Sequence, residues 1–227
     1  MQGILLIDKP AGWTSFDVVN KIRYQVAREA VVKPKSIKVG HAGTLDPFAT
    51  GLLIVLVGKE NTRQAQSYSK KDKTYEVEMI LGKSSSTGDS DGEITEVSDN
   101  KPDKEVISKT LNKFKGEISQ VPHAYSAIKV GGQRAYKLAR EGKEVRLEPR
   151  KVYISQLELT SYEYPTVKFM AEVSSGTYIR SLVEDIGREL GTGAYTANLR
   201  RTKIGDFDIA NAQTIESLVS YILIANQ

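Results

Sequence analysis

The sequence of 227 residues contains no cysteine and only two histidines, His41 and His123. Without thiols there can be no disulfide framework, no thiolate metal site and no cysteine nucleophile. Two imidazoles are also too few for a histidine-rich metal site. We therefore expect no bound metal, and we expect any chemistry to depend on other side chains.

Long apolar runs are also missing. No run approaches the roughly 20 residues that a membrane-spanning helix needs. The N-terminus lacks a basic start and reaches Asp8 within a few residues, which is typical of a strand rather than of a signal peptide. Together with the absence of cysteine, these features predict a cytoplasmic protein without membrane contact.

The composition, with 40% apolar and 26% charged residues, is that of a globular protein. No Gly/Pro-rich linker divides the chain, and no internal repeat is found. Segments with helical and strand patterns are interspersed without a regular alternation. We predict one α+β domain over residues 1–227, built around a mixed, largely antiparallel sheet.

Periodicity places the elements along this domain. Thr14, followed by Asp17, predicts an N-cap with a capping box and a helix behind it. Further helices are predicted at residues 60–69, 104–114, 135–141, 177–190 and 214–224. Strands are predicted at residues 4–7, 52–57, 73–81, 125–130, 167–173 and 195–209, and further strands within residues 145–159.

The most informative segment is residues 40–53, where Asp46 lies in an Asp-Pro step surrounded by Gly40, Gly43 and Gly51. A buried apolar strand follows at once. Asp-Pro steps most often only initiate turns. The residues alone therefore leave two interpretations open, a structural turn and a mount for one reactive carboxylate.

The net charge is +4 and the pI is about 9.0. Residues 129–151 contain eight basic and three acidic side chains, so this segment alone has a net charge of +5. Such a segment can be a solvated face, but it also suits a polyanionic partner. The predicted RNA-binding residues here are Lys129, Arg134, Lys137, Arg140, Lys143 and Arg146.

Six motifs occur in order along the chain. They are KPAGWTS at residues 9–15, GHAGTLDPFATGLL at 40–53, KTY at 73–75, QVPHAYSAIK at 120–129, GTYIRSL at 176–182 and LRRT at 199–202. Together they resemble the tRNA pseudouridine-55 synthases of the TruB family. Two departures stand out: His123 replaces the second of two usual prolines, and we expect no C-terminal PUA domain, because the chain ends soon after the catalytic domain.

The resemblance implies a pseudouridine-synthase catalytic fold, a central sheet flanked by helices, with a basic thumb at residues 124–151. It also implies an activity, the isomerisation of uridine 55 in the tRNA T-loop to pseudouridine, with base flipping and an aspartate nucleophile, Asp46. Attack on ribose C1′ and attack on uracil C6 both stay open. The expected partner is tRNA, the expected cofactor is none, and the expected state is a monomer.

The resemblance also assigns the other site residues. Arg180 would pair with Asp46, keeping that carboxylate ionised and oriented. Tyr75 would stack on the target uracil and is a candidate for proton transfer. The remaining predicted substrate-binding residues are His41, Tyr178, Leu199 and Lys9.

Three other functions are considered. One is a non-catalytic tRNA-binding or tRNA-folding module that uses the same residues. Another is a guide-RNA-dependent pseudouridine synthase, which shares the catalytic motifs. The last, a uridine methyltransferase, would need a cofactor site, but no glycine-rich nucleotide loop follows a strand in this sequence.

Overall fold

The computed structural model describes residues 2–218. Its residues group into two compact units. Unit 1 comprises Met1–Tyr75 and Leu199–Gln227, and unit 2 comprises Glu76–Asn198. The assignment of residues 1–227 to a single domain stays a prediction.

The helices and strands follow one another in this order: β1 (Gly3–Lys9), α1 (Ser15–Glu29), β2 (Val39–Ala42), β3 (Thr50–Val57), α2 (Lys59–Arg63), α3 (Ala65–Ser69), β4 (Lys73–Leu81), β5 (Lys83–Ser85), β6 (Ile94–Glu96), α4 (Lys104–Lys113), β7 (Gly116–Gln120), β8 (Lys129–Val130), β9 (Gln133–Arg134), α5 (Ala135–Arg140), β10 (Arg150–Glu163), β11 (Thr166–Val173), α6 (Ile179–Glu189), β12 (Ala194–Ile204) and β13 (Phe207–Asp208). Short 3₁₀ turns occur at Pro34–Ser36 and Ile209–Asn211.

In unit 1, strand β3 is the centre of the sheet. It pairs antiparallel with β1 and β2, and parallel with β12, where Thr50 faces Arg200 and Gly51 faces Arg201. Because side chains of a strand alternate between faces, Leu53, Val55 and Val57 pack in one core cluster with α1. The alternate residues of β3 pack in a second cluster, which contains Leu52, Ile54, Leu56, Ala42 and Ile204.

Helix α1 begins with the predicted capping box. The Asp17 N–H donates to Thr14 Oγ1 at 3.0 Å, and the Thr14 N–H donates to Asp17 Oδ2 at 2.9 Å. These bonds satisfy backbone donors that a helix start leaves unpaired. The helix buries an apolar face, formed by Val18, Val19, Ile22 and Val26, in the first core cluster.

In unit 2, β10 pairs antiparallel with β11 on one side and with β7 on the other. Strand β4 lies next to β11. Helix α4 packs against β10 and α6 and buries Ile107 and Leu111. Strands β8 and β9 form a small hairpin around Gly131 and Gly132, whose φ values of +56° and +85° suit a two-residue hairpin turn.

The α+β class and the mixed, mostly antiparallel sheet are confirmed. The β3–β12 pair is parallel, whereas β1–β3, β2–β3, β10–β11 and β7–β10 are antiparallel. Two local predictions are wrong: residues 60–69 form two short helices, and residues 125–130 contain only the two-residue β8. The short strands β2, β5, β6, β7 and β9 were not predicted. Of the predicted helix at 214–224, residues 215–218 are helical, and residues 219–224 lie outside the described residues.

Across residues 2–218, no helix is long and apolar enough to cross a membrane.

Candidate functional site

The loop that carries Asp46 is held on both sides of that residue. The Ser15 hydroxyl donates to the Leu45 carbonyl oxygen at 3.1 Å and accepts the Leu45 N–H at 2.8 Å. On the other side, the Pro47 carbonyl oxygen accepts the Gly12 N–H at 2.9 Å. The motif at residues 9–15 therefore clamps the backbone immediately before and after the carboxylate.

Lys9 belongs to the same clamp. Its ammonium donates to the carbonyl oxygens of Trp13, Pro10 and Pro47, at 2.7, 2.8 and 3.3 Å. The residue is fully buried. Its predicted role in substrate binding stays a prediction. The pKa of Lys9 is lowered to about 8, mainly by burial. The negative charge of Asp46 opposes this shift, and the positive charge of Arg201 adds to it.

Arg201 holds the loop from strand β12. Its Nε donates to the Leu52 carbonyl oxygen at 2.8 Å, while its two Nη atoms donate to Gly43 at 3.1 Å and to Thr44 at 3.4 Å. Only 1% of the residue is exposed. A buried guanidinium thus joins the two ends of the segment that contains Asp46.

His41 lies in β2, at the start of the same segment. Burial lowers the pKa of its imidazole, and the positive charge of Arg201 lowers it further. Its Nδ1 is buried and has no hydrogen-bond partner among residues 2–218. The ring is therefore kept neutral, and it carries a polar atom that a bound nucleotide could satisfy.

Two predicted site residues of unit 1 are held in place by packing. Tyr75 on β4 is 8% exposed, and Leu199 on β12 is 5% exposed. The structure therefore gives Tyr75 a fixed ring of which only a small part reaches solvent. The burial of Leu199 is compatible both with core packing and with the lining of a pocket.

Arg180 is the centre of a polar cluster in unit 2. It is 5% exposed and lies 3.2 Å from the Asp89 carboxylate. Its guanidinium also donates to the carbonyl oxygens of Thr87 and Tyr125, both at 2.9 Å. These contacts fix the direction of the guanidinium.

Asp89 is itself buried and fully engaged. Its Oδ1 accepts the Thr87 hydroxyl at 2.5 Å and the Asp91 N–H at 3.1 Å, which leaves Oδ2 for Arg180. Asp46 and Arg180 belong to different units, so the ion pair between them stays a prediction.

His123, which departs from the family motif, lies beside Arg180. The Tyr125 N–H donates to His123 Nδ1 at 3.2 Å, and Arg180 Nη1 is 3.5 Å from the same nitrogen. The other ring nitrogen is 3.5 Å from Glu184 Oε1. Because Nδ1 accepts a hydrogen bond, the neutral tautomer is protonated on Nε2, facing the carboxylate.

Tyr178 is the N-cap residue of α6, directly before Ile179. Its N–H donates to Gln120 Oε1 at 2.9 Å, and its carbonyl oxygen accepts from Gln120 Nε2 at 3.1 Å. This reciprocal pair fixes the backbone that leads into Arg180.

All six predicted RNA-binding residues of the thumb are exposed. Several are already engaged within unit 2. Lys143 pairs with Glu141 at 2.7 Å, Arg146 pairs with Glu144 at 3.0 Å, and Arg134 donates to the Ala127 carbonyl oxygen. The remaining cations are Lys129, Lys137 and Arg140, of which Arg140 lies over the Tyr136 ring.

Three residues that hold the candidate site were not predicted from the sequence, namely Ser15, Asp89 and Arg201. Ser15 and Arg201 lie inside recognised motifs, so closer attention to those motifs could have found them. Asp89 lies in a Ser/Gly/Asp loop whose composition indicates only a turn. Among the described residues there is no group of three or more histidine or carboxylate side chains that could hold a metal ion.

Comparison with known families gives two matches that together cover most of the chain. Residues 28–179 match the family model described as TruB family pseudouridylate synthase (N terminal domain). Residues 180–227 match the model described as tRNA pseudouridylate synthase B C-terminal domain.

Curated proteins named tRNA pseudouridine synthase B are similar over nearly all of this chain. The Pseudomonas fluorescens protein is 44% identical over 96% of this chain and 68% of its own length. The Aquifex aeolicus protein is 42% identical over 97% and 74%, and the Parabacteroides distasonis protein is 41% identical over 96% and 92%.

Solved structures give a similar result. A chain of a Cbf5-Nop10-Gar1 complex superimposes with a TM-score of 0.75 and 29% identity, over 99% of this chain. A chain of an H/ACA RNP bound to a substrate RNA superimposes with a TM-score of 0.71 and 28% identity. This chain spans 56% and 54% of the length of those two chains.

Proposed function

Because the chain belongs to the TruB family of pseudouridylate synthases, we propose that it isomerises uridine 55 in the T-loop of tRNA to pseudouridine. It acts as a cytoplasmic monomer and needs no metal or cofactor. The observation that carries the proposal is the clamp on the Asp46 loop, which fixes the backbone of Leu45 and Pro47 around one carboxylate.

The target base leaves its stack before it reacts. Extruding a nucleotide costs a few kcal/mol, which contacts to the flipped base offset. Tyr75 supplies a ring that packing has already fixed, so little side-chain freedom is lost on stacking. The unpartnered Nδ1 of His41 gains a hydrogen bond from the displaced nucleotide.

Asp46 then acts as a nucleophile, a recognised role for carboxylates. Its attack forms a covalent bond to the substrate, and the bond between N1 and C1′ breaks. The uracil turns over, a bond forms between C5 and C1′, and the bond to Asp46 breaks, which releases the carboxylate. The proton on C5 is lost and N1 gains a proton, so the reaction is an isomerisation. Tyr75 is the candidate for proton transfer, and attack at C1′ and attack at C6 both remain consistent with this account.

Arg180 supplies the positive charge for the carboxylate, as the family resemblance implies. Asp89, Thr87 and Tyr125 hold its guanidinium in one direction. An arginine fixed in this way loses little entropy when it binds an anion. A cation close to Asp46 keeps the nucleophile ionised at neutral pH.

The test is to map pseudouridine in an unmodified tRNA transcript after incubation with purified protein. We expect modification in the T-loop by the wild type and none by Asp46→Asn, although both should bind tRNA. The matched control is Asp206→Asn, the same change at a carboxylate that is 95% exposed, which should stay active. Product formed by Asp46→Asn would overturn the proposal, and tight binding without product by the wild type would favour a binding module.

A guide-RNA-dependent synthase is the second candidate, because the solved structure with the TM-score of 0.75 belongs to a Cbf5-Nop10-Gar1 complex. The higher identity of 41–45% to curated proteins named tRNA pseudouridine synthase B favours stand-alone action on tRNA. The assay above contains no guide RNA and no partner protein. Product in that assay excludes a requirement for either.

A further inference from the structure

A second basic surface lies on unit 1, at the C-terminal end of α1 and on the segment that follows it. Residues 21–38 contain six basic side chains and one acidic side chain, a net charge of +5 that equals the charge of residues 129–151. We call eight of its exposed residues the α1 surface. They are Lys21, Tyr24, Arg28, Val31, Val32, Lys33, Lys35 and Lys38.

The charges of the α1 surface are not compensated. Within residues 2–218, none of its five basic side chains lies within 4 Å of a carboxylate, in contrast to Lys143, Arg146 and Lys151 of the other basic segment, which are all in ion pairs. Phosphates can therefore bind the α1 surface without displacing an existing partner. Such contacts release counterions from a nucleic acid and strengthen binding at low salt.

A concavity of about 420 Å³ lies within this surface. Lys21, Tyr24, Arg28 and Val32 are among the residues that line it, and Tyr24 is 64% exposed. An exposed aromatic ring between cations is the arrangement on which unpaired RNA bases stack. The side-chain amide nitrogen of Gln25, also part of the lining, is buried and has no acceptor among the described residues.

The chain leaves α1 in a strained conformation at this surface. Val31 has a φ of +52°, a left-handed value that is rare for a β-branched residue, and it is 90% exposed. Backbone bonds from Val31 to Arg28 and from Val32 to Ala27 hold this turn. These are the two bonds of a Schellman motif, so the left-handed residue ends α1 and turns the chain beside the concavity.

The α1 surface is far from the Asp46 loop, although the same helix connects them. Ser15, the first residue of α1, binds the backbone of Leu45. The 15 residues of α1 rise by about 1.5 Å each, which puts the C-terminal end of the helix about 20 Å from that contact. An RNA that reaches both places must extend well beyond the reacting nucleotide.

We propose that the α1 surface is a second RNA-binding surface, which contacts the phosphate backbone of tRNA outside the T-arm while Tyr24 stacks on an unpaired base there. The choice of a region outside the T-arm has two reasons. The bases of the T-stem are paired and cannot stack on Tyr24, and the T-loop would lie at the Asp46 loop, about 20 Å from this surface. The inference rests on the proposed function for the identity of the RNA and for the place of the T-loop.

The test compares binding of full-length tRNA and of an isolated T-arm stem-loop over a series of salt concentrations. The variant is Lys33→Glu/Lys35→Glu, whose side chains make no hydrogen bond within the described part of the chain. The matched control is Lys104→Glu/Lys109→Glu, which makes the same charge change at exposed positions of α4. All proteins carry Asp46→Asn, so that no turnover occurs, and thermal unfolding verifies that each is folded.

We expect the Lys33/Lys35 variant to bind tRNA at least tenfold more weakly, with a log–log salt slope smaller by about two, one per lost phosphate contact. Its affinity for the T-arm should change less than twofold, and the α4 control should bind both RNAs like the parent. Tyr24→Ala should weaken tRNA binding about fivefold or more without changing the slope.

Unchanged tRNA affinity in the Lys33/Lys35 variant, an equal loss on the T-arm, or an equal loss in the α4 control would each overturn the proposal. Binding is measured without pseudouridine formation. A wild-type protein that binds tRNA through the α1 surface but forms no product would therefore contradict only the proposed function.

Discussion

At the scale of single residues, Arg201 explains why the Asp46 loop has one conformation. A buried guanidinium is costly unless its donors are satisfied. Here the backbone carbonyl oxygens of Gly43, Thr44 and Leu52 satisfy them, and no carboxylate lies within 4 Å of Arg201 among the described residues. The loop therefore has to keep the conformation in which these carbonyl oxygens accept hydrogen bonds from the guanidinium.

Replacement of Arg201 tests this interpretation. Arg201→Met removes the donors and leaves buried carbonyl oxygens unpaired, so we expect a loss of about 3 kcal/mol in the free energy of unfolding. Arg188→Met, at an exposed arginine paired with Asp185, should cost less than about 1 kcal/mol. Urea denaturation measures both, and equal losses would contradict the assigned role.

The lowered pKa values of two buried lysines lead to a predicted dependence of stability on pH. Burial lowers the pKa of Lys9 and of Lys73 from 10.5 to about 8. Between pH 8 and 10.5 the unfolded chain therefore binds more protons at these residues than the folded chain, so the free energy of unfolding gains a contribution that rises with pH. Below about pH 8 both states are protonated and this contribution is constant.

We subtract the unfolding free energy of Lys9→Met from that of the wild type. We expect this difference to increase from pH 8 to pH 10, because only the wild type contains Lys9 with its lowered pKa. Lys73→Met should behave in the same way. Lys101→Met, at an exposed lysine, is the control and should give a constant difference. A constant difference for Lys9→Met as well would show that Lys9 has an ordinary pKa.

At the scale of elements, the parallel pairing of β3 with β12 brings Arg201 to the loop. Gly51, opposite Arg201, has a φ of +103°. A side chain at this position would overlap the backbone carbonyl oxygen of Arg201 and lie 2.8 Å from its nitrogen. Glycine is thus required both for its conformation and for the close approach of the strands.

Comparison of two glycines separates these causes. Gly12 also has a positive φ, +78°, but an added Cβ would meet no atom within 4 Å. We expect Gly12→Ala to cost about 1 kcal/mol, from backbone strain alone. Gly51→Ala should cost about 3 kcal/mol or more, because two strands must also move apart. Similar losses in thermal or urea unfolding would argue against the close-approach explanation.

In the thumb, the ion pairs predict which basic residues contribute most to tRNA binding. Lys143 and Arg146 are paired within the segment, whereas Lys129 and Lys137 are exposed and form no ion pair among the described residues. We therefore expect Lys137→Ala to weaken tRNA binding more than Lys143→Ala does, and to reduce the log–log salt slope by about one. Equal effects of the two substitutions would mean that the ion pairs open freely when RNA binds.

At the scale of the whole molecule, the sequence predicts features that depend on local patterns. Alternation gives β4 at residues 73–81, and Thr14 with Asp17 gives the start of α1. The apolar run after Gly51 gives β3. These signals involve neighbouring residues, and the structure confirms each of them.

Features that depend on distant pairing could not be predicted in this way. Arg201 bonds to residues about 150 positions earlier in the chain, and Lys9 reaches Pro47 across 38 positions. The sequence therefore named Leu199 but not Arg201, and it named Lys9 without predicting its burial. Asp89 was missed because only the folded loop shows that its carboxylate is buried against Arg180.

The central claim is that one clamped carboxylate, Asp46, carries out the chemistry. Its most direct test is the single-turnover rate of pseudouridine formation by Asp46→Glu, with saturating enzyme on unmodified tRNA. The longer side chain moves the carboxylate by about one bond length on a backbone that cannot follow, so we predict a rate at least about 100-fold lower than that of the wild type, with unchanged tRNA affinity. A rate within tenfold of the wild type would contradict the account.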